Sequence, residues 1–185
     1  MENNERRKEI LNTCLDTFIS KGLSETTVRD LSTALKLQSG GIYYWFKDKD
    51  EAVVACAEEA ALRLENSLIF PALDDIRDPD RLIKQLKIRA DKMRPTMKFF
   101  ASVCALAKYE ERMQSVLDRL AERYERYAQR FSEELRCDFN EVAPYVYFAI
   151  TTITDYMIFG EAKYIFPQIE LIKNALKGFL REGTE

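Results

Sequence analysis

Apolar residues recur every three or four positions through nearly the whole of this 185-residue chain, and this spacing constrains the fold most strongly. The first stretch repeats an apolar pair every four positions: Ile10–Leu11, Cys14–Leu15 and Phe18–Ile19. A later stretch has its apolar residues at Leu117, Leu120, Tyr124, Tyr127, Phe131 and Leu135. Such stripes are typical of amphipathic α-helices that pack on one side. The sequence therefore predicts an all-α protein.

The N-terminal fifty residues contain the signals of three helices. The first is expected over 5–20 and is stopped at Gly22, since glycine suits a left-handed helix cap. Thr27 and Asp30 have the spacing of a capping box at the start of a second, short helix. A third short helix is expected from Gly40 to Trp45.

The rest of the chain predicts longer helices. A long fourth helix is expected to open on the acidic cluster at 48–51; Pro71 is expected to end or kink it, and Pro95 to break the chain again. The segment 142–159 is apolar on nearly all sides, so burial on more than one side is expected. We thus predict about nine helices, with an N-terminal domain at 1–50 and a larger helical domain at 51–185.

Composition argues against catalysis, metals and membranes. The chain has no histidine, which removes serine and cysteine triads as well as the metalloprotease helix, and its four cysteines are widely spaced. We expect no catalytic site, no metal and no cofactor. The charge-free stretch from Val142 to Thr154 is shorter than the roughly 20 residues that span a bilayer. Without an N-terminal signal peptide, the expected location is cytoplasmic.

Basic residues are concentrated in the N-terminal region of a chain whose net charge is −3. Between Lys21 and Lys49 there are five basic and three acidic residues. The bases fall among residue types that follow a recognisable order: Phe18 to Gly22, Thr26-Thr27, Leu31, Gly40, Ile42-Tyr43-Tyr44-Trp45-Phe46 and Lys49. This order and spacing, over roughly a quarter of the chain, resembles the helix-turn-helix DNA-binding domain of the TetR family.

The resemblance implies a role for each matching residue. The third helix and the residues just before it would read the base edges of DNA, through Gln38, Ser39, Gly40, Gly41 and Tyr43. Phosphates would be held by Thr27, Tyr44 and Lys49, with Arg29 and Lys36 as additional contacts. Ile42, Trp45 and Phe46 would pack the three-helix core. Two adjacent glycines in a helix cost about 1 kcal/mol each, so they indicate close approach to DNA or a special turn. A plain glycine turn is the alternative.

Two positions depart from the family pattern at the turn before the recognition helix. This turn sets the register, that is, which residues of the helix face the DNA bases. Lys36 stands where the family usually has glycine, which predicts a strained or differently shaped turn. Gln38 stands where serine is usual, so Ser39 is an alternative cap that would shift the register by one residue.

The resemblance also implies a dimer on double-stranded DNA and a small-molecule effector. Recognition helices would lie about 34–36 Å apart on a palindromic operator. The dimer interface is expected on the last two helices, near 141–160 and 167–181; the alternative is that the first of them is the centre of a monomeric bundle. The fourth helix would link the two domains.

The effector pocket is expected among methionine and aromatic residues of the C-terminal domain, because these form adaptable walls with polar handles. The candidates are Met93, Met97, Phe100, Cys104, Tyr109, Tyr124, Tyr127, Phe131, Tyr145, Phe148, Thr152 and Tyr156. Asp155, a carboxylate on an apolar helix, would pair across the dimer or face a cationic effector. A small helical enzyme and a helical adaptor without DNA binding are the competing hypotheses.

Overall fold

The computed structural model describes residues 2–38, 40–161 and 163–182, and over these residues it is all-helical, as predicted. The described part has seven α-helices, whereas about nine helices were predicted. Two short 3-10 helices are also present. The α-helices are α1 (Glu2–Lys21), α2 (Val28–Ala34), α3 (Lys49–Asp75), α4 (Pro79–Cys104), α5 (Glu110–Leu135), α6 (Phe139–Phe159) and α7 (Ile165–Glu182). The 3-10 helices are Gly41–Tyr44, where a third helix was predicted, and Ala107–Tyr109.

Pro71 and Pro95 do not end their helices, so the helix end predicted at Pro71 and the break predicted at Pro95 are wrong. Pro71 lies inside α3 and Pro95 inside α4. A proline inside a helix costs about 3 kcal/mol, because it removes one backbone hydrogen bond and crowds the preceding turn. Burial of a large apolar side chain contributes roughly 1.5–3 kcal/mol. Large apolar side chains on both sides of each proline are buried, which outweighs the cost: Leu64 and Leu68 before Pro71 and Ile76 after it, and Leu82 before Pro95 and Met97, Phe99 and Phe100 after it.

The chain forms two compact units. Unit 1 comprises the chain up to Arg63 together with Lys98–Val116, and its core includes fully buried Leu15, Phe18 and Leu31. Phe18 stacks on Phe99 with ring centroids 5.7 Å apart, so the second segment of unit 1 packs against the first.

Unit 2 comprises Leu64–Met97 and Leu117–Glu185. Its core is a cluster of buried aliphatic side chains: Ala72, Ile76, Leu82, Leu135, Val142 and Leu176. Helices α3, α4 and α5 each contribute residues to both units. The domain boundary near residue 50 stays a prediction.

Helix α6 is less buried in the single chain than its apolar sequence led us to expect. Only 28% of its most apolar eighteen residues are buried, and Tyr145, Tyr147 and Phe159 are exposed. Among the described helices, α6 has the length and composition of a membrane-crossing helix, a test that the core helix of a soluble protein also passes. Of these three side chains, Tyr145 packs edge-on against Phe179, with ring centroids 5.4 Å apart.

Two helices end on a residue other than glycine in the left-handed conformation. Lys36, with φ of 54°, follows α2, and Arg136, with φ of 59°, follows α5. After α2, the amide of Leu37 donates to the carbonyl of Ser32 (2.9 Å) and that of Lys36 to Thr33 (3.0 Å). This is the Schellman arrangement, which usually has glycine in the left-handed position. The turn at Lys36 thus has a normal shape with a strained residue in it.

Candidate nucleic-acid interface

The start of α2 is closed by the predicted capping box between Thr27 and Asp30. The Thr27 hydroxyl accepts from the Asp30 amide at 3.2 Å, and the Thr27 amide donates to Asp30 Oδ2 at 2.8 Å. Lys21 Nζ lies 2.6 Å from Asp30 Oδ1, and this ammonium, followed by Thr27, lowers the pKa of Asp30. Thr27 is exposed, but both its polar groups are used by the cap; a phosphate contact by Thr27 would compete with Asp30.

The two glycines after α2 are required by local geometry. Gly40 has φ of 98°, which glycine adopts without strain. A Cβ on Gly41 would lie 3.1 Å from Leu37 Cβ, closer than side-chain contacts allow without adjustment. A special turn therefore accounts for both glycines, while close approach to DNA stays a prediction. Ser39, the alternative cap, lies outside the described residues.

Two tyrosines project from the short 3-10 helix into solvent. Tyr43 and Tyr44 are 58% and 78% exposed, whereas Ile42 and Phe46 are buried, as predicted for the core side of this segment. Trp45 is half-buried and packs edge-on against the Tyr44 ring at 5.0 Å. Aromatic side chains are costly to leave in water, so the exposed Tyr43 and Tyr44 indicate that this surface has a function.

The basic residues of the segment are accessible. Arg29 and Lys36 are exposed, as is the uncharged Gln38, and Lys49 is half-buried at the start of α3. Lys49 Nζ donates to the carbonyl oxygen of Ser24 across 3.4 Å, a long bond that an incoming phosphate could replace.

Nearby acidic groups are occupied by the cap of α3. The Glu51 amide donates to Asp48 Oδ1 at 2.8 Å, and the Lys47 amide donates to Glu51 Oε2 at 2.5 Å. Both carboxylates are thus engaged with backbone N–H groups at a helix N-terminus, where negative charge is favourable.

Behind Lys49, an unpredicted contact connects α3 with the segment after α4. Asp50 Oδ1 accepts from Tyr109 Oη at 2.6 Å and from Lys108 Nζ at 2.8 Å. The Lys108 ammonium first, and then Tyr109, lower the pKa of Asp50. Residues so far apart in sequence give no local sign of this contact.

Residues 10–56 match the model of the family described as "Bacterial regulatory proteins, tetR family". Over this segment, about a quarter of the chain, the sequence is similar to the TetR family. The chain is 40% identical over 48 residues to the helix-turn-helix transcriptional repressor KstR2 of Mycolicibacterium smegmatis, covering 26% of the chain and 23% of that repressor. It is 33% identical over 81 residues to the repressor AcnR of Corynebacterium diphtheriae, covering 41% of the chain and 43% of AcnR. The chain thus matches less than half the length of these relatives.

Solved structures support a TetR-family fold over nearly the whole chain. A TetR-family regulator from Mesorhizobium loti superposes with a TM-score of 0.65 at 13% identity, covering 98% of both chains. A second, from Syntrophomonas wolfei, has a TM-score of 0.50 at 22% identity and 96% coverage of both. At these identities the likeness concerns the fold alone.

Unit 2 contains an apolar cavity of about 110 Å³. Its eighteen lining side chains come from α3 to α7, and they are aliphatic except for Phe131, Tyr145 and Phe179. Phe131 and Tyr145 are the two effector candidates that it includes. The sequence did not single out the other sixteen, because leucine and isoleucine beside a cavity have the same pattern as in a filled core.

The remaining effector candidates lie elsewhere and stay predictions. They are Met93, Met97, Phe100, Cys104, Tyr109, Tyr124, Tyr127, Phe148, Thr152 and Tyr156. Three hydroxyls of this set donate to carboxylates, Tyr109 to Asp50, Tyr127 to Glu65 and Tyr156 to Asp91, at 2.6, 2.7 and 2.8 Å. Thr152 Oγ1 donates to Gln168 Oε1 at 3.3 Å. These four hydroxyl groups thus have hydrogen-bond partners within the chain.

Proposed function

We propose that the chain is a TetR-type transcriptional repressor that binds a palindromic DNA operator as a dimer and is released by a small-molecule effector. The observation that carries the proposal is the exposed pair Tyr43 and Tyr44, held on a glycine turn ahead of Lys49 within the family's DNA-binding segment. The relatives KstR2 and AcnR are named as repressors, which favours repression over activation.

DNA recognition in this proposal divides into positioning and reading. Tyr44 and Lys49 contact phosphates, because a hydroxyl and an ammonium near a helix start suit phosphate oxygens. Thr27 joins them if its hydroxyl leaves Asp30, and Arg29 and Lys36 add charge. Gln38, Gly41 and Tyr43 face base edges; a glutamine amide can pair with adenine through two hydrogen bonds.

Dimerisation is supported by the apolar side chains that α6 and α7 leave in water. Phe159, Phe166 and Leu171 are each at least half exposed, and Tyr145 and Tyr147 add to this surface. A stable homodimer needs a broad apolar interface, and two equivalent copies of this surface would bury it. The dimer presents two DNA-binding units to two half-sites.

Effector control uses α3 as the connecting element. This helix begins at Lys49 in unit 1, and Leu68, Ile69 and Ala72 of its last turns line the cavity of unit 2. An effector that binds one arrangement of the dimer better than the other shifts the equilibrium between DNA-binding and released forms. The protein acts in the cytoplasm, where its operator lies.

Selection of DNA from a random pool by the purified full-length chain tests this function. Recovery of a palindrome with half-sites one helical turn apart is expected. Retention of DNA that is sensitive to salt but independent of sequence would instead leave the adaptor or enzyme hypotheses. A variant in which Tyr43 and Tyr44 are both alanine is the matched control, and it should recover no palindrome.

A further inference from the structure

The cavity of unit 2 differs from the pocket expected from the sequence, both in position and in chemistry. It is bounded by the last turns of α3 and by α4, α5, α6 and α7, and its wall is hydrocarbon apart from the hydroxyl of Tyr145. We propose that this cavity binds an uncharged, hydrocarbon-rich small molecule. The inference rests on the proposed function, for which it names the class of effector.

The size of the cavity limits its occupant. A cavity of about 150 Å³ lined by leucine, isoleucine and phenylalanine stays dry and binds benzene. The present cavity is about 110 Å³ and has the same kinds of lining residues. Because protein interiors pack like organic crystals, the occupant is comparable to one aromatic ring or a short alkyl chain.

Charge argues for a neutral occupant. The buried carboxylates of unit 2 already have cationic partners: Asp75 is paired with Arg81 and Arg89, and Glu65 with Arg123. No described lining side chain is ionisable apart from Tyr145. An ionised ligand would therefore lose its hydration without gaining a counter-charge from the wall.

One group of unit 2 defines the competing ligand chemistry. Arg89 Nη1 is buried and has no hydrogen-bond partner among the described residues. A carboxylate-bearing ligand that reached this guanidinium would be anchored by a charge-assisted hydrogen bond. Toluene and benzoate, which share one ring and differ in charge, separate these two possibilities.

The experiment is calorimetric and thermal titration of the full-length protein with toluene and, in parallel, with benzoate. Saturable binding of one toluene per chain is expected, with a rise in Tm of about 2–4 °C at fivefold excess over the Kd. Benzoate at the same concentration is expected to leave Tm unchanged. A benzoate shift equal to or larger than that of toluene, or no saturable toluene binding, overturns the proposal.

Filled variants assign the binding to this cavity. Ala72→Leu and Ala149→Leu each add three carbon atoms to a lining position, and Ala121→Leu, on the exposed side of α5, is the matched control. Folded filled variants are expected to lose the toluene shift, while the control keeps it. Equal shifts in all three variants would place toluene elsewhere and overturn the proposal; if neither filled variant folds, the toluene–benzoate comparison on the unmodified protein decides.

The DNA selection separates a failure of the proposed repressor function from a failure of the cavity assignment. A protein that recovers a palindrome but binds no toluene retains the proposed function and loses this inference. A protein that binds toluene in the cavity but recovers no palindrome retains the cavity assignment and loses the repressor function.

Discussion

The hydroxyl of Tyr127 donates a 2.7 Å hydrogen bond to Oε2 of Glu65, a carboxylate that is 4% exposed. Arg123 Nε donates to the other oxygen, Oε1, at 2.8 Å. A buried carboxylate requires such donors, because it has lost its hydration. Tyr127, which the sequence indicated as a ligand contact, thus has a structural role in unit 2.

Removing either donor should destabilise the protein by different amounts. Tyr127→Phe is expected to lower the free energy of unfolding by about 1.5–3 kcal/mol, the range for a hydrogen bond to a charged group. Arg123→Met should cost about 3 kcal/mol, since it leaves a buried charge without a counter-ion. Urea denaturation at pH 7 measures both, with Tyr43→Phe, at an exposed position outside α6 and α7, as the control. A smaller loss for Arg123→Met than for Tyr127→Phe would contradict this account.

The strained turn after α2 predicts a stabilising substitution. Lys36 has φ of 54°, and a left-handed residue other than glycine costs about 1–2 kcal/mol. Lys36→Gly should raise the free energy of unfolding by about 0.5–1 kcal/mol, after allowing for the greater flexibility of glycine in the unfolded chain. Lys84→Gly, at an exposed position inside α4, should lower it by about 1 kcal/mol. The same sign for both would show that Lys36 is not strained.

The division between phosphate and base contacts can be tested on two residues. Lys49→Ala should weaken binding to all DNA sequences and reduce the dependence of log K on log salt by about one unit. Gln38→Ala should instead change the preferred base at one position of each half-site, by about 1–3 kcal/mol. Fluorescence anisotropy over a salt series, with Lys84→Ala as the control, measures both. If the two variants behave alike, the assigned roles are wrong.

Signals local in sequence predicted the N-terminal unit well. The capping box of Thr27 and Asp30 is confirmed, because a cap acts over only a few residues. The buried positions of Ile42 and Phe46 are confirmed as well, and these, like the unusual Lys36, were indicated by the resemblance to the family pattern.

Features that depend on distant residues were not predictable. Pro71 and Pro95 stay inside helices because side chains far away in sequence bury the turns around them. The contact of Asp50 with Lys108 and Tyr109 spans nearly sixty residues. The cavity of unit 2 is a small shortfall in packing volume, and no residue type marks such a shortfall.

The exposed face of α7 predicts a substitution that prevents dimerisation. Leu171 is 53% exposed in the single chain. Leu171→Glu should shift the protein from dimer to monomer in sedimentation equilibrium, because a charge buried at an apolar interface is strongly unfavourable. Leu106→Glu, at an exposed leucine outside α6 and α7, should leave the dimer intact. An unchanged dimer in Leu171→Glu would exclude this face from the interface.

The raised pKa of Tyr124, which lies near Glu65, predicts that the protein loses stability at alkaline pH. Burial first, and then the negative charge of Glu65, raise the pKa of Tyr124 to about 12, against about 10 in the unfolded chain. A raised pKa means that the folded state holds the proton more tightly. Its contribution to stability is therefore complete below about pH 10 and is lost as the pH rises toward 12.

Urea denaturation of the unmodified protein and of Tyr124→Phe, over pH 7 to 11.5, isolates this contribution. The difference in unfolding free energy should be constant between pH 7 and 9. Above pH 10 the unmodified protein should lose stability relative to the variant by up to about 1 kcal/mol per pH unit, because phenylalanine cannot ionise. Other tyrosines, including Tyr127, ionise in both proteins and cancel in the comparison. A difference that stays flat up to pH 11.5 would mean that the Tyr124 hydroxyl is hydrated in the folded protein and that the site around Glu65 is open to water.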